Sequence, residues 1–595
     1  MKKTKTGTGG GAAAGVLRGR KGRFLILNGL LTAFFSLVML FGESFSAYNN
    51  WEYVLAYPIF STLSFFCYWG FFFFISWHLA KPFLEPAPGR ARPENRVSGK
   101  KGDAVPRRVF FLFWGFLLLC WLPYLIGFYP GIANTDVPDQ LAQSFNMKNG
   151  TYEWIDQPLS EEVLINGHHP VFNTWIQGLF LRIGIALGSQ NVGVFLHALW
   201  IALFTTGVFA WSLYDMRRQS VPLRWCAALA LIFGLIPCFP LYGINLVKNS
   251  TYSAWLYLWL ILLIRLAREG EAALRNRRFL FLFSLCMLMQ MLNVKHGIHV
   301  VVLTVLFLLF VYRSGWKRLL AATAVPVFLV AVVLEGMIMP ALRISPGSDR
   351  EFYGFMYQQT ARYVRDYPQD VTPEERQAID GVLEYDRLTA LYNPITSDYI
   401  KFEAYRPEQT KEDRSAYFKA WLSQFRKHPG VYLEATINGC FGFFYPMQAE
   451  WYDYLDFSSA IELWGDGFFQ IYHPPVLEPL RKTLTRVESD AKVLPIVEFL
   501  FRHGTYVWVV LWCACVLIAG RKYRALGALI PLLCTMLVCV ISPYNSNTRY
   551  LLPVIYGAGL CVLLVRAEMA GGDDPKAEVE NAGGAEAENA GASLV

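Results

Sequence analysis

Apolar stretches separated by short polar or basic segments recur along most of the chain. Runs near 24–43, 55–79, 109–129, 191–213, 224–244, 251–267, 279–294, 297–313, 319–340, 504–520, 525–542 and 550–566 predict membrane-crossing helices. That makes about twelve, because roughly 20 apolar residues are needed to span a hydrocarbon layer of about 30 Å as a helix. One more apolar stretch, 170–187, is read as a helix lying at the outer surface. With that single assumption the N-terminal tail, the linker 81–108, "DMRRQS", "RLAREGEAALRNRR" and "RSGWKR" all face the cytoplasm, as the positive-inside bias requires. The loop 130–169 and the long segment 341–503 then face outward.

The expected fold class is an all-α integral membrane protein with an outward-facing, mainly helical soluble segment. A basic tail (1–23) precedes two leading helices (24–80) and a Pro-, Gly- and charge-rich cytoplasmic linker (81–108). A helical core (109–340) carries an outer loop at 130–190, and the outer segment (341–503) leads to the last helices (504–566). An acidic, low-complexity tail (567–595) closes the chain, and both termini are placed in the cytoplasm. "SFSA" (Ser44–Ala47) resembles a signal cleavage site, but the run from Phe24 to Phe41 exceeds a usual signal core, so an uncleaved first helix is expected. Within the outer segment, "TPEERQAIDGVLEYDRL" and "KEDRSAYFKAWLSQFRKHP" read as amphipathic helices with good starts. "GVYLEATINGCFGFFYP" is too short to span and is expected against the bilayer or other helices, and the stretch 450–475 is crowded with aromatics.

Composition agrees: 54% of the residues are hydrophobic and 16% aromatic, too apolar for a water-soluble surface. The net charge of +8 sits beside apolar runs, where orientation signals and anionic-lipid contacts occur, so no nucleic-acid partner is expected. Apart from Cys440 the cysteines fall inside apolar runs, which gives the outer segment no disulfide framework or zinc module. No Walker loop, nucleophile elbow, zinc-protease helix or internal repeat stands out.

The chemistry-bearing residues lie near the outer ends of the expected helices. In "NTDVPDQLAQ", Asp136, Asp139, Gln140 and Gln143 share one helical side. Two readings of this stretch stand side by side. Asp136 is an N-cap with Asp139 as its capping-box acid, or Asp136 is a working acid. His168 and His169 end the same loop in "NGHHPVFNTW", where they suit proton relay, anion binding or plain loop polarity. Lys248, Lys295 and Arg549 all fall at outer helix ends, against the general charge bias, and three such cations suit a phosphate or pyrophosphate. Glu335 is the main acid inside a span, a partner for one of them or half of a structural ion pair. Asn149 and Asn249 match glycosylation acceptors, a pattern common by chance.

"FYPGIANTDVPDQLAQ", "GHHPVFNTW", "HPGVYLEATINGCFGFFYP" and "SPYNSNTRYLLPV" resemble a family of large bacterial membrane proteins of unassigned substrate, which is similar to GT-C-type glycosyltransferases. The likeness runs from about 109 to 566 and implies a GT-C-like core using a polyprenyl-phosphate-linked sugar. It aligns Asp136 with the loop acid and Arg549–Tyr550 with an "RY-x-LP" end motif. Asn249 stands where an acid is more usual, and "VKHG" (Val294–Gly297) departs from an Arg/Asn-rich form.

The resulting expectation is an enzyme of the bacterial plasma membrane that moves a sugar to an envelope acceptor at the outer face, with inversion. Asp136 is the base, Asp139, His168 and His169 assist it, and Gln140, Lys248, Lys295, His296, Arg549 and Tyr550 bind substrate. A divalent metal enters only if Asp136 and Asp139 converge on pyrophosphate oxygens; no other cofactor is called for. A flippase or transporter for a lipid-linked glycan, and a non-enzymatic envelope assembly protein, are the alternatives.

Overall fold

The computed structural model describes residues 19–85, 105–448, 467–542 and 544–570. Most of both tails, most of the linker 81–108 and the larger part of the aromatic stretch 450–475 lie outside the described residues. What is described is built almost wholly of helices, because a chain in lipid must satisfy its backbone N–H and C=O groups within the segment itself.

The order is α1 (Arg20–Tyr48), α2 (Pro58–Leu84), α3 (Arg108–Gly127), a short α4 (Asp136–Ser144), α5 (Val171–Ala186), α6 (Gln190–Arg218), α7 (Leu223–Leu235), α8 (Lys248–Glu269), α9 (Arg277–Asn293), α10 (Gly297–Val311) and α11 (Trp316–Phe328). A π-helical stretch, Leu329–Ile338, prolongs α11 and contains Glu335. There follow α12 (Arg350–Asp366), α13 (Lys411–Lys427), α14 (Pro429–Asn438), α15 (Glu478–Ala491), α16 (His503–Ala519), α17 (Ile530–Ile541) and α18 (Thr548–Met569), with shorter turns between them.

Seven helices among the described residues are long and apolar enough to cross a membrane, rather than about twelve: α1, α2, α3, α6, α8, the span Arg313–Ala341 that contains α11, and α18. The apolar helices α7, α10, α16 and α17 are shorter. Proline explains part of the difference. The run 224–244 ends as a helix at Leu235, and a separate turn, Cys238–Gly243, starts after Pro237. The run 525–542 divides into Tyr523–Leu526 and α17, which has Pro531 in its first turn. The long helices make this a multi-pass membrane protein.

Burial sorts the spans into an inner and an outer set. In α8, 83% of the apolar window is buried, and in α18 72%, against 6% in α2. Leu30, Ile59 and Phe71 on α1 and α2 point outward, the apolar exterior that lipid covers. Helix α5 is 16 residues long, about 24 Å at the usual rise and short of the hydrocarbon thickness. It packs on α6 through glycine: a Cβ on Gly184 would overlap the Gly193 backbone, and one on Gly193 would meet the Phe180 carbonyl at 2.5 Å.

In the segment after α11, Thr372 and Thr410 each form a capping box, with Glu375 and Asp413, so both expected helix starts are present. The first helix is shorter than its sequence pattern: it stops at Asp380, and 3-10 and α turns continue at Tyr385–Arg387 and Leu388–Leu391. α14 and the turn Phe441–Phe444 pack against helices, with the Phe444 carbonyl accepting the Trp508 indole N–H at 2.7 Å. β1 (Asn166–Gly167) and β2 (Ser345–Pro346) pair in parallel, joining the loop before α5 to the chain leaving α11.

Gly184→Val forces the α5–α6 backbones apart. The expected cost is about 2 kcal/mol or more, read as a lowered unfolding temperature in detergent, with Ala186→Val on the same helix far milder.

Candidate functional site

The site forms because the chain before α4 pairs with the chain before α8. The Leu246 N–H donates to the Ile132 carbonyl at 2.9 Å, and the Ile132 N–H donates to the Ile244 carbonyl at 3.4 Å. This places the first residue of α4, Asp136, beside the first residue of α8, Lys248. α18 joins them: Asn249 donates to the Arg549 carbonyl at 3.2 Å, and Asn547 caps α18 by accepting the Arg549 N–H at 3.2 Å.

The Asp136 carboxylate does not cap its own helix. Thr135 holds the cap position without a side-chain bond to the helix N–H groups, and Asp136 turns to the cations. Arg549 Nη1 donates to Oδ1 at 2.9 Å, and Lys248 Nζ donates to Oδ2. His169 completes the group, with Nδ1 3.1 Å from Lys248 Nζ and 4.0 Å from Asp136 Oδ2. Burial alone would raise the Asp136 carboxyl, but Arg549 and Lys248 outweigh it and hold it well below the usual range. Burial, reinforced by Lys248, keeps His169 neutral far below its ordinary range.

His168 sits at the edge of the group, its ring 4.7 Å from that of His169 and 5.0 Å from that of Trp154. Its Nδ1 is buried without a hydrogen-bond partner, and burial draws its pKa down to about 4. Trp154 also stacks on Phe402 at 4.2 Å, so the loop before α5 and the segment after α11 meet here. Arg549 lies 5.2 Å over the Tyr550 ring, which orients Tyr550 beside the carboxylate's cation.

Lys295 differs from the other cations. No carboxylate among the described residues lies within ion-pair distance of it, and it remains open to solvent although protein surrounds it. Burial lowers its pKa, offset by Glu351, and the nearby charge of Lys248 lowers it further. Its ammonium lies close to Gly347, where an added Cβ would overlap both the ammonium and the Gly167 carbonyl. Glu335 acts on Lys295 only at longer range, without an ion pair.

Glu351, Lys401 and Asp398 complete the rim. Lys401 lies 2.8 Å from both carboxylates. Burial would raise Glu351, but Lys401, His168 and Lys295 hold it down to about 2. No sequence motif marks these three; Glu351 reads only as an acid in a first helical turn.

Not every candidate residue joins the group. Asp139 accepts the Gly150 N–H at 3.0 Å and latches α4 to the loop. Gln140 is fully buried, donating to Thr174 at 3.2 Å and accepting from Gln177 at 3.1 Å, and Gln143 donates to Thr151 at 2.7 Å. His296 packs edge-on against Tyr252, with ring centroids 5.4 Å apart. Asp136 and Asp139 therefore do not converge, and no set of three or more His, Cys, Asp or Glu among the described residues is arranged to hold a metal. With Lys248 and Arg549 on Asp136, these donors do not fit a divalent ion.

The chain belongs to a family described as "Family of unknown function (DUF6020)", whose model matches residues 18–579. No curated protein and no solved structure matches it.

Two measurements probe the group. Burial, helped by the charge of Asp136, raises the Asp139 carboxyl to about 7. It therefore keeps its proton in the folded chain at pH values where the unfolded chain has lost it, from about 4 upward. Its contribution to stability is full below about pH 4 and falls away as pH rises toward 7. Asp139→Asn, which keeps an acceptor for Gly150, is expected to raise the unfolding temperature more at pH 8 than at pH 5. Separately, Asp136→Ala strands two largely buried cations at a cost of about 3 kcal/mol. Adding Lys248→Met should recover part of that loss, and a double-mutant cycle on unfolding free energies measures the coupling.

Proposed function

We propose that this protein is a GT-C-like glycosyltransferase that moves a sugar from a polyprenyl-phosphate carrier to an envelope acceptor at the outer face of a bacterial plasma membrane. One observation carries the reading. Lys248, Lys295 and Arg549 stand at the N-termini of α8, α10 and α18, where the helix dipoles are already positive. Cations there are unfavourable without an anion, and Asp136 answers only two of the three. A carrier phosphate supplies the missing negative charge.

The resting site is closed on itself, since a carboxylate held so low is a weak base. A phosphate arriving at Lys295 draws Lys248 and Arg549 toward its own oxygens and frees Asp136. As their hold weakens, the carboxylate's affinity for a proton rises. Asp136 then accepts the proton of the acceptor hydroxyl as that oxygen attacks the anomeric carbon. The bond from that carbon to the carrier oxygen breaks on the opposite side, inverting the centre, and the phosphate leaves with the electron pair, stabilised by the three cations. Neutral His169 beside Lys248 and Asp136 is placed to pass the proton on. Trp154, Phe402 and Glu351 lie on the acceptor side, where aromatic faces suit a sugar ring and Glu351 a hydroxyl.

With purified protein in liposomes, a lipid-linked sugar and an acceptor glycan, Asp136→Asn should lower transfer by about a hundredfold or more while donor binding persists. Lys295→Ala should instead weaken donor binding. Undiminished transfer by Asp136→Asn removes the base role, and lipid movement across the bilayer without transfer favours a flippase.

A further inference from the structure

At the far end of α8 from Lys248 lies a second charged cavity. Lys248 opens the helix, and Arg265, Arg268 and Glu269 close it. Seventeen residues of helix separate Lys248 from Arg265, about 25 Å. The end of α6 completes the cavity with Trp211, Asp215 and Arg218. Its volume is about 150 Å³.

The charges do not close on themselves. Arg265 Nε donates to Glu269 at 2.9 Å, a satisfied pair within one helix. Arg218 and Arg268 approach Asp215 only to 3.9 and 3.8 Å, and Arg268 approaches Glu269 only to 3.6 Å. All three separations exceed hydrogen-bond length. The Asp215 oxygen nearer Arg268, Oδ2, accepts from the Gln219 amide at 2.8 Å. Among the described residues neither the Arg218 nor the Arg268 side chain donates a hydrogen bond, so two guanidinium groups line the cavity held only by ion pairs at 3.6–3.9 Å. Three arginines against two carboxylates leave the rim one charge positive.

The cavity also has a grain. Trp211 lies four residues before Asp215 on α6, and Ile261 and Leu262 lie one turn before Arg265 on α8. Polar rim and apolar wall therefore stack along the helix axes, charge at the helix ends and hydrocarbon deeper in. A free anion has no use for the apolar wall; an amphiphile uses both.

We propose that this cavity binds the anionic headgroup of a membrane phospholipid, with Arg218 and Arg268 on the phosphate and Trp211, Ile261 and Leu262 along the glycerol and first acyl carbons. The site lies at the membrane face opposite the Asp136 group and stands independently of the transfer reaction.

The test uses the full chain in detergent micelles, with lipid adducts counted by native mass spectrometry. Dioctanoyl phosphatidylglycerol is expected to bind roughly tenfold more tightly than dioctanoyl phosphatidylcholine, since each basic group near a headgroup favours the anionic lipid. Arg218→Gln with Arg268→Gln should abolish that preference, and Asp136→Asn should leave it intact. A preference that survives the arginine double variant overturns the proposal. So does equal competition by inorganic phosphate, which marks a soluble-anion site instead. If the double variant fails to fold, Arg218→Glu, on the most exposed of the three arginines, is read the same way.

Discussion

One carboxylate holds three helix ends together. Asp136 sits between Lys248 and Arg549, residues 112 and 413 positions away in the chain. α8 and α18 are the two most buried of the long spans, so their starts must meet inside the protein. Two cations at two positive helix ends repel one another. The acid at the head of α4 makes that meeting tolerable, and the short contact between Ile132 and Leu246 delivers it there. The same carboxylate that stabilises the assembly is held well below its ordinary range by the two cations it joins.

Much of the scaffold was legible in the sequence. Apolar length located the apolar helices, because length and hydrophobicity are what lipid selects, but the polar helices α12 and α15 had no place in that reading. The number of long spans was not, in part because Pro237 and Pro531 interrupt two runs that hydropathy reads as continuous. Of the site, Asp136, His169, Lys248 and Arg549 meet, and their signal was chemical: cations at helix ends where the charge bias disfavours them. Asp139 and Gln140 share a helical side with Asp136 in the pattern yet serve the loop and α5, because a single face of a short helix touches several neighbours. Glu351 and Lys401 had no local signal. Glu351 faces His168, 183 residues earlier in the chain, and spacing within a segment cannot encode that.

α8 links two unlike polar ends. Its first residue enters a closed ion group, and its last turn borders a cavity where Arg265 is paired but the Arg268 side chain donates no hydrogen bond. Between them the helix is nearly sealed from lipid by neighbours. A sealed rod of this kind keeps the two charged ends at a fixed separation.

Gly347 has no chemistry of its own. It lies between the Lys295 ammonium and the Gly167 backbone, where any side chain would take the space of one or the other. The chain leaving α11 is thus closely packed where Lys295 reaches it. On a map of tolerated substitutions, this residue would rank with Asp136 for intolerance, for reasons of volume alone.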